Sequence, residues 1–327
     1  MNRPPDDFVS IDADAALRPF VARVFERVGV PSEQAAFLSD LLVTNDLRGV
    51  FSHGTRQATA YVGHFRAGRL NPAPAVRVAN ETPTTLVVDG DGGLGYFAAH
   101  QAAAQLGPKA LEMGIAAALS RNHGHFGAAG IYARIPLEHG LFCFVTSGHQ
   151  LSLKPGQSVL HAAGGSPMAF ALPTGDEPPF VLDFGAMHDL YPGSPHMDTI
   201  IALAPGTVFR SLGLGAVCQA LGGFLAGVPL DPDRAERRWS GANQGSFLIA
   251  VDLARFFPLD AFKAEMDAYA RAVRQMEPLP GFNTALLAGA PEWEQEKAYR
   301  ENGIPLSPSH AAALHKLASE FGIAPPL

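Results

Sequence analysis

The apolar residues of this 327-residue chain change their spacing twice along its length. Near the start, Leu17, Phe20, Val21, Val24, Phe25 and Val28 recur at the three-and-four spacing of one helix face, so 14–28 is expected as an amphipathic helix. Pro31-Ser32 opens a second helix through about Asn45, and RQATAYVGHFRAG (56–68) reads as a third. From about residue 76 the helical spacing gives way to short β-branched and aromatic runs between turn signals. VRVAN, TTLVVDG, GIAAALS, LFCFVTSG, MAFALP, FVLDFG and SFLIAVDL (246–253) are expected strands. Helices are expected among them at 96–113 and near 128–139, and LGLGAVCQALGGFLAG (212–227) reads as a glycine-rich apolar helix. Helical spacing returns at 259–275 and 309–321, and the proline-bearing stretch 278–308 is expected to be a mobile loop. A helix-period pattern does not settle as a strand, nor the reverse, so this order restricts the architecture. It points to an α/β fold: a central mixed-sheet domain, 76–254, with a helical lobe built from both chain ends, 1–75 with 255–327.

The net charge of −7, with no basic run beyond Arg237-Arg238, argues against nucleic acid or an anionic membrane as partner. Cys143 and Cys218 lie in apolar stretches and read as buried thiols, which gives no sign of an oxidising compartment. The opening MNRPPDDFVSIDADA lacks the apolar segment of a signal peptide. The run nearest to a membrane span, Leu212 to Gly227, is rich in glycine. A cytoplasmic protein is expected.

Gly90, Gly92 and Gly95 in VVDGDGGLGYF fit G-x-G-x-x-G after a strand and before a helix. A dinucleotide fingerprint also needs an acidic residue ending the next strand. That strand is followed instead by Arg121, Asn122 and His123, and the turn begins with Asp89 and Asp91, which would repel a pyrophosphate. A tight strand-to-helix turn is the favoured reading.

Three other stretches carry candidate chemistry. NDLRGVFSHGTRQ (45–57) packs Ser52, His53 and Arg56 together. A histidine beside a hydroxyl is a potential general acid or base, and an arginine nearby can fork onto a carboxylate. The same cluster also suits a capping serine with a surface histidine and arginine. SRNHGHFGAAG (120–130) sets His123 and His125 two apart. Such a pair can ligate zinc, but no further ligands are spaced for it, so no metal is expected, and a histidine hydrogen-bonded in a tight turn is the plain alternative. Asp183 ends the strand FVLDFG, where a buried carboxylate needs a partner; orienting a catalytic histidine and capping a turn both suit it.

These pieces occur in an order that resembles the malate/L-lactate dehydrogenase family of non-Rossmann type. The resemblance rests on NDLRGVFSHGTRQATAYVGHFRAGRLNP, VVDGDGGLGYFAAHQA, RNHGHFGAAGIYA, FALP with FVLDFG, and GIPLSPSHAAALHKLASEFGI, which together cover most of the chain. It implies a non-Rossmann fold binding NAD or NADP, a small carboxylate substrate, and a homodimer with the active site near the subunit contact. It also implies site residues: His53 as proton donor or acceptor, Ser52 and Asp183 in support, and Arg56 on the substrate carboxylate. His125 would lie by substrate and cofactor, and Phe126 and Gly127 would belong to the cofactor loop.

The departures concentrate on the cofactor. The family's G-T-N-P is GGSP at Gly164–Pro167, the segment between Asp183 and 205 is shortened, and the glycine pair before the cofactor lysine is missing from PGTVFRSLGL (205–214). The lysine itself falls on Arg210, and Thr207 and Val208 are expected to crowd a phosphate there. The leading expectation is an NAD(P)-dependent oxidoreductase on a small 2-oxo acid, 2-hydroxy acid or cyclic imino acid. The alternative is a cofactor-free isomerase, lyase or hydratase that keeps the proton chemistry of His53. A non-catalytic binding protein is the third class.

Overall fold

The computed structural model describes residues 8–191 and 193–326; the start of the N-terminal segment read above, through residue 7, lies outside them. Packing divides the chain into two units. One is built from the stretch ending at Ala73, from Asp176–Pro178 and from Asp267 onward; the other holds Pro74–Gly175 and Pro179–Met266.

The first unit is mainly helical. A π turn, Ala13–Leu17, capped by the Asp12 carboxylate, leads into α1 (Arg18–Glu26), with α2 (Ser32–Leu47) and α3 (Ala58–Arg66) after it. Leu17, Phe20, Val21, Val24 and Phe25, whose spacing marks the first helix, are all fully buried, each worth roughly 1.5–3 kcal/mol of transfer free energy. The expected mobile loop at 278–308 is corrected by α9 (Ala290–Asn302) and by a three-residue strand, Ile304–Leu306. Pro291 stands in the first turn of α9, where a proline starts a helix and does not break one. The short strand pairs antiparallel with β1 (Val9–Ile11), and α10 (Pro308–Phe321) follows, its first turn capped by Ser307.

The second unit is a seven-stranded sheet ordered β2-β3-β4-β8-β5-β6-β7. Its strands are β2 (Arg77–Glu81), β3 (Thr85–Asp89), β4 (Ile115–His123), β5 (Phe142–His149), β6 (Pro167–Leu172), β7 (Phe180–Gly185) and β8 (Gln244–Val251), so Ile304–Leu306 is β9. β3 and β4 run parallel, joined by α4 (Gly95–Met113), while every other neighbouring pair is antiparallel. Small residues on α4, among them Ala98, Ala99, Ala102 and Ala103, are fully buried. Gly114, with φ of 88°, ends α4 in the left-handed conformation that glycine adopts without strain.

A short helix, α5 (Ala129–Ala133), follows β4. The glycine-rich helix begins earlier than expected, as α7 (Pro205–Cys218), preceded by α6 (Met197–Leu203) and followed by a π turn, Gln219–Phe224. Among the described residues no single helix is long and apolar enough to cross a membrane; α6 and α7 with its π turn reach that composition only jointly, across a 113° bend. α8 (Leu259–Arg274) completes the helices.

Candidate active site

Ser52 and His53 sit on a 3-10 turn, Phe51–His53, and Arg56 on the next, Thr55–Gln57. Both turns are tied to their surroundings. Asn45 donates its amide N–H to the His53 carbonyl at 2.9 Å, and Gln57 donates to the Ser52 carbonyl at 2.6 Å. Ser52 Oγ lies 2.9 Å from His53 Nδ1, so the hydroxyl helps to fix the ring. Burial lowers the His53 pKa below the usual 6.5, which keeps the imidazole neutral near pH 7. Arg56 is exposed and forms no ion pair among the described residues, so its guanidinium fork is open to an anion.

Beneath these turns runs a buried chain that sequence reasoning missed. The Asp46 carboxylate accepts from the Thr55 backbone N–H at 3.1 Å and from its hydroxyl at 2.5 Å. Since that hydroxyl donates to Asp46, His310 Nε2, 2.8 Å away, donates to it in turn. Desolvation raises the Asp46 pKa to about 7, against the two Thr55 hydrogen bonds and the Arg56 charge; burial, then Arg56, hold His310 at about 4. Gly54 is required here, because a Cβ would stand 1.8 Å from Asp46 Oδ1. The one sequence signal was the position of His310 in GIPLSPSHAAALHKLASEFGI.

In the second unit the glycine turn is closed upon itself. Gly90 N–H donates to the Arg121 carbonyl, Gly92 N–H to Asn122, Gly93 N–H to Gly90 and Gly95 N–H to His125, while Asp91 N–H meets the Asp89 carboxylate. No amide of that set is left to cradle a phosphate. The glycines serve close packing: a Cβ on Gly95 would lie 2.6 Å from both His123 Nδ1 and Phe126 Cβ.

His123 and His125 do not act as a pair. β4 ends at His123, which is fully buried, hydrogen-bonded to Ser120 and to the Gly124 carbonyl, and held by burial at about 4. His125 is half-buried in the loop beyond. Phe126 is buried and stacked on Tyr132, centroids 5.2 Å apart, so its ring anchors the loop from below. Gly127, with φ of 80°, leaves room for the Tyr96 hydroxyl, which a Cβ would approach to 2.4 Å. The expectation of a buried Asp183 is corrected. The residue is exposed, because β7 is an edge strand, and its Oδ2 accepts the Gly130 N–H at 2.8 Å, capping α5. Among the described residues no group of three or more His, Cys, Asp and Glu stands close enough to hold a metal ion.

The expected crowding at 205–214 is also corrected. The stretch is helical, so Val208 turns into a core cluster with Ala163, Met187 and Leu190, while Thr207 and Arg210 are exposed. Arg210 forms no ion pair among the described residues. Nearby walls enclose a cavity of about 490 Å³ lined by His149, Gln150, Gly164, Gly165, Met187 and Tyr191 among others, with no Asp or Glu among the described lining residues. Ser166, at the position of the family asparagine, has φ of 44° and a buried hydroxyl with no hydrogen-bond partner.

Three comparisons bear on this arrangement. The model of a family described as malate/L-lactate dehydrogenase matches residues 13–187 and 195–315. Malate dehydrogenase from Pyrococcus horikoshii is 26% identical, covering 97% of each chain. L-sulfolactate dehydrogenase from Methanocaldococcus jannaschii is 26% identical, covering 94% of this chain and 96% of its own. The solved structure of the P. horikoshii enzyme superposes with a TM-score of 0.83 at 25% identity, covering 99% of both chains.

Proposed function

The chain belongs to the malate/L-lactate dehydrogenase family, and from that membership we propose an NAD(P)-dependent oxidoreductase acting at C2 of a small 2-hydroxy or 2-oxo acid. The observation that carries the reading is the Ser52–His53 pair at 2.9 Å on one turn, with Arg56, in no ion pair among the described residues, on the next. In the oxidation direction His53, neutral at pH 7, takes the proton of the C2 hydroxyl. Ser52 holds the imidazole in place, and Arg56 grips the substrate carboxylate with two parallel N–H bonds. In reduction the protonated imidazole returns the proton to the C2 oxygen, or to the nitrogen of a cyclic imino acid. His125 is assigned to the substrate and cofactor side of the second unit, and Asp183 to support of the site through its cap on α5.

The second unit offers groups that fit a dinucleotide. The partnerless Ser166 hydroxyl is available to a polar group, the described lining of the 490 Å³ cavity holds no carboxylate to repel phosphate, and the Arg210 guanidinium is open to one. The backbone of the loop at Gly127 belongs to the same set. A bound nicotinamide supplies or accepts the hydride. A homodimer is part of the proposal. Leu203, Phe209 and Leu225, on α6, α7 and just past the π turn, are 81%, 75% and 58% exposed, large apolar side chains that a second copy would cover.

Calorimetric titration with NADH and NADPH tests the reading directly. Saturable binding at micromolar levels, followed by turnover of malate, sulfolactate or another 2-hydroxy acid, is the expected result. Binding of neither nucleotide to the folded protein would overturn it and move attention to cofactor-free proton chemistry at His53.

A further inference from the structure

Arg237 and Arg238 form the one basic run in the sequence, and no role proposed above uses them. They wall a second cavity, of about 360 Å³, between the glycine turn and the loop that leads into β8.

The charges on the turn side of this cavity are already committed. Asp89 Oδ1 accepts from the Asn122 amide at 2.9 Å and from the Asp91 N–H at 3.0 Å, and Oδ2 faces Arg121 at 3.5 Å and Arg77 at 3.9 Å. Asp91 Oδ2 accepts the Ala75 N–H at 3.0 Å.

The loop side is different. Arg237 is half-buried and donates to the Gln150 amide oxygen at 2.7 Å, but it forms no ion pair among the described residues. Gln150 is itself fixed, donating to the Pro229 and Leu230 carbonyls. A guanidinium that sheds water on folding without gaining a carboxylate is costly, and burial lowers the Arg237 pKa. Arg238 lies 5.1 Å from the Trp239 ring centroid. The Trp239 indole packs on Gly92, where a Cβ would stand 2.0 Å from Cδ1, and its Nε1–H is buried without an acceptor. Two arginines that form no ion pair among the described residues therefore line one cavity, with the Trp239 indole in the same wall.

The geometry points to an oxyanion site in this cavity, taking a small carboxylate or phosphoryl group on the Arg237 fork, with Arg238 in support and the Trp239 indole beside it. Glu236 on the exposed rim tempers the field, which suits a small anion and not an extended polyanion. Gln150 carries the consequence further, because it also lines the 490 Å³ cavity. An anion that draws on Arg237 competes with Gln150 for the same guanidinium.

The chain has two tryptophans, Trp239 and Trp293, so Trp293→Phe leaves Trp239 as the sole reporter. Titration of that protein with inorganic phosphate and with malonate is expected to change the indole emission along a saturable curve. Arg237→Gln in the same background is expected to weaken binding at least tenfold, and Arg238→Gln, an exposed change that spares the fold, several-fold. Saturation by phosphate alone assigns a phosphoryl ligand; saturation by malonate alone assigns a carboxylate. The site is overturned by a flat titration with both anions, by a change that sodium chloride of equal ionic strength reproduces, or by unaltered binding in both arginine variants.

Discussion

His53 works under two constraints that pull together. Burial removes the water that would stabilise its charge, and the Ser52 hydroxyl occupies one ring nitrogen at 2.9 Å. In the role proposed for His53 the neutral base is the form that oxidises a hydroxy acid, so the acid limb of that reaction's pH profile is expected below pH 6.5, with a plateau above it. His53→Asn is expected to lower kcat by about 10²–10⁴-fold in steady-state assays while the Tm stays within a few degrees. Asp46 is the opposite case. Its carboxyl keeps a proton to about pH 7 in the folded chain but releases it near 3.8 when unfolded. The folded state therefore binds more protons between those values, and this group's contribution to stability falls as pH rises from 4 to 7. His310 and His123, held at about 4, act in the other direction up to 6.5. Comparing Asp46→Asn with the parent protein isolates the carboxyl. The Tm of the variant is expected to gain on the parent from pH 5 to pH 8 in thermal melts; parallel curves would refute a raised Asp46 pKa.

The turn after β3 shows how an element can look like a ligand cradle and be none. Its amides are consumed by carbonyls from the end of β4 and the loop beyond, and its glycines exist so that those backbones can touch. Gly95→Ala would place a methyl 2.6 Å from His123 Nδ1 and Phe126 Cβ, and overpacking of this kind costs roughly 1–3 kcal/mol. A lowered Tm by calorimetry is the expected outcome. The turn was legible in sequence because the missing acidic residue after the next strand and the two aspartates both spoke against a phosphate loop, although the glycine spacing fitted one. The seven sheet strands were legible too, since each is a bounded apolar or β-branched run. Other elements were not. β1 and β9 have three residues each, too few to show alternation, and each needs a partner from the far end of the chain. Pro291 lies in the stretch expected to be a loop and Pro205 ahead of the expected start at 212, although both stand in the first turn of a helix. The Thr55–His310 bond joins residues 255 positions apart, a pairing that no local pattern encodes.

At the scale of the whole molecule the exposed side of α6 and α7 sets the question of assembly. Phe209 at 75% exposure is a large apolar side chain on a helix whose Val208 is buried beside it in sequence. Phe209→Glu is expected to shift the protein from dimer to monomer in sedimentation equilibrium without lowering its helix content. A parent protein that sediments as a monomer at micromolar concentration would place that face outside any dimer contact.

The sheet order carries a consequence for how this chain comes off the ribosome. β8 lies between β4 and β5, yet its residues, Gln244–Val251, are delivered after β7 has already been made. Until they arrive, β4 and β5 each present a bare edge of unpaired N–H and C=O groups, and both edges are apolar. At ordinary elongation rates the gap between finishing β5 and finishing β8 lasts on the order of ten seconds. During that interval the half-made sheet is a template for any passing strand, including one from a neighbouring nascent copy. The strand that closes the sheet last thus sets how long those two edges stay open.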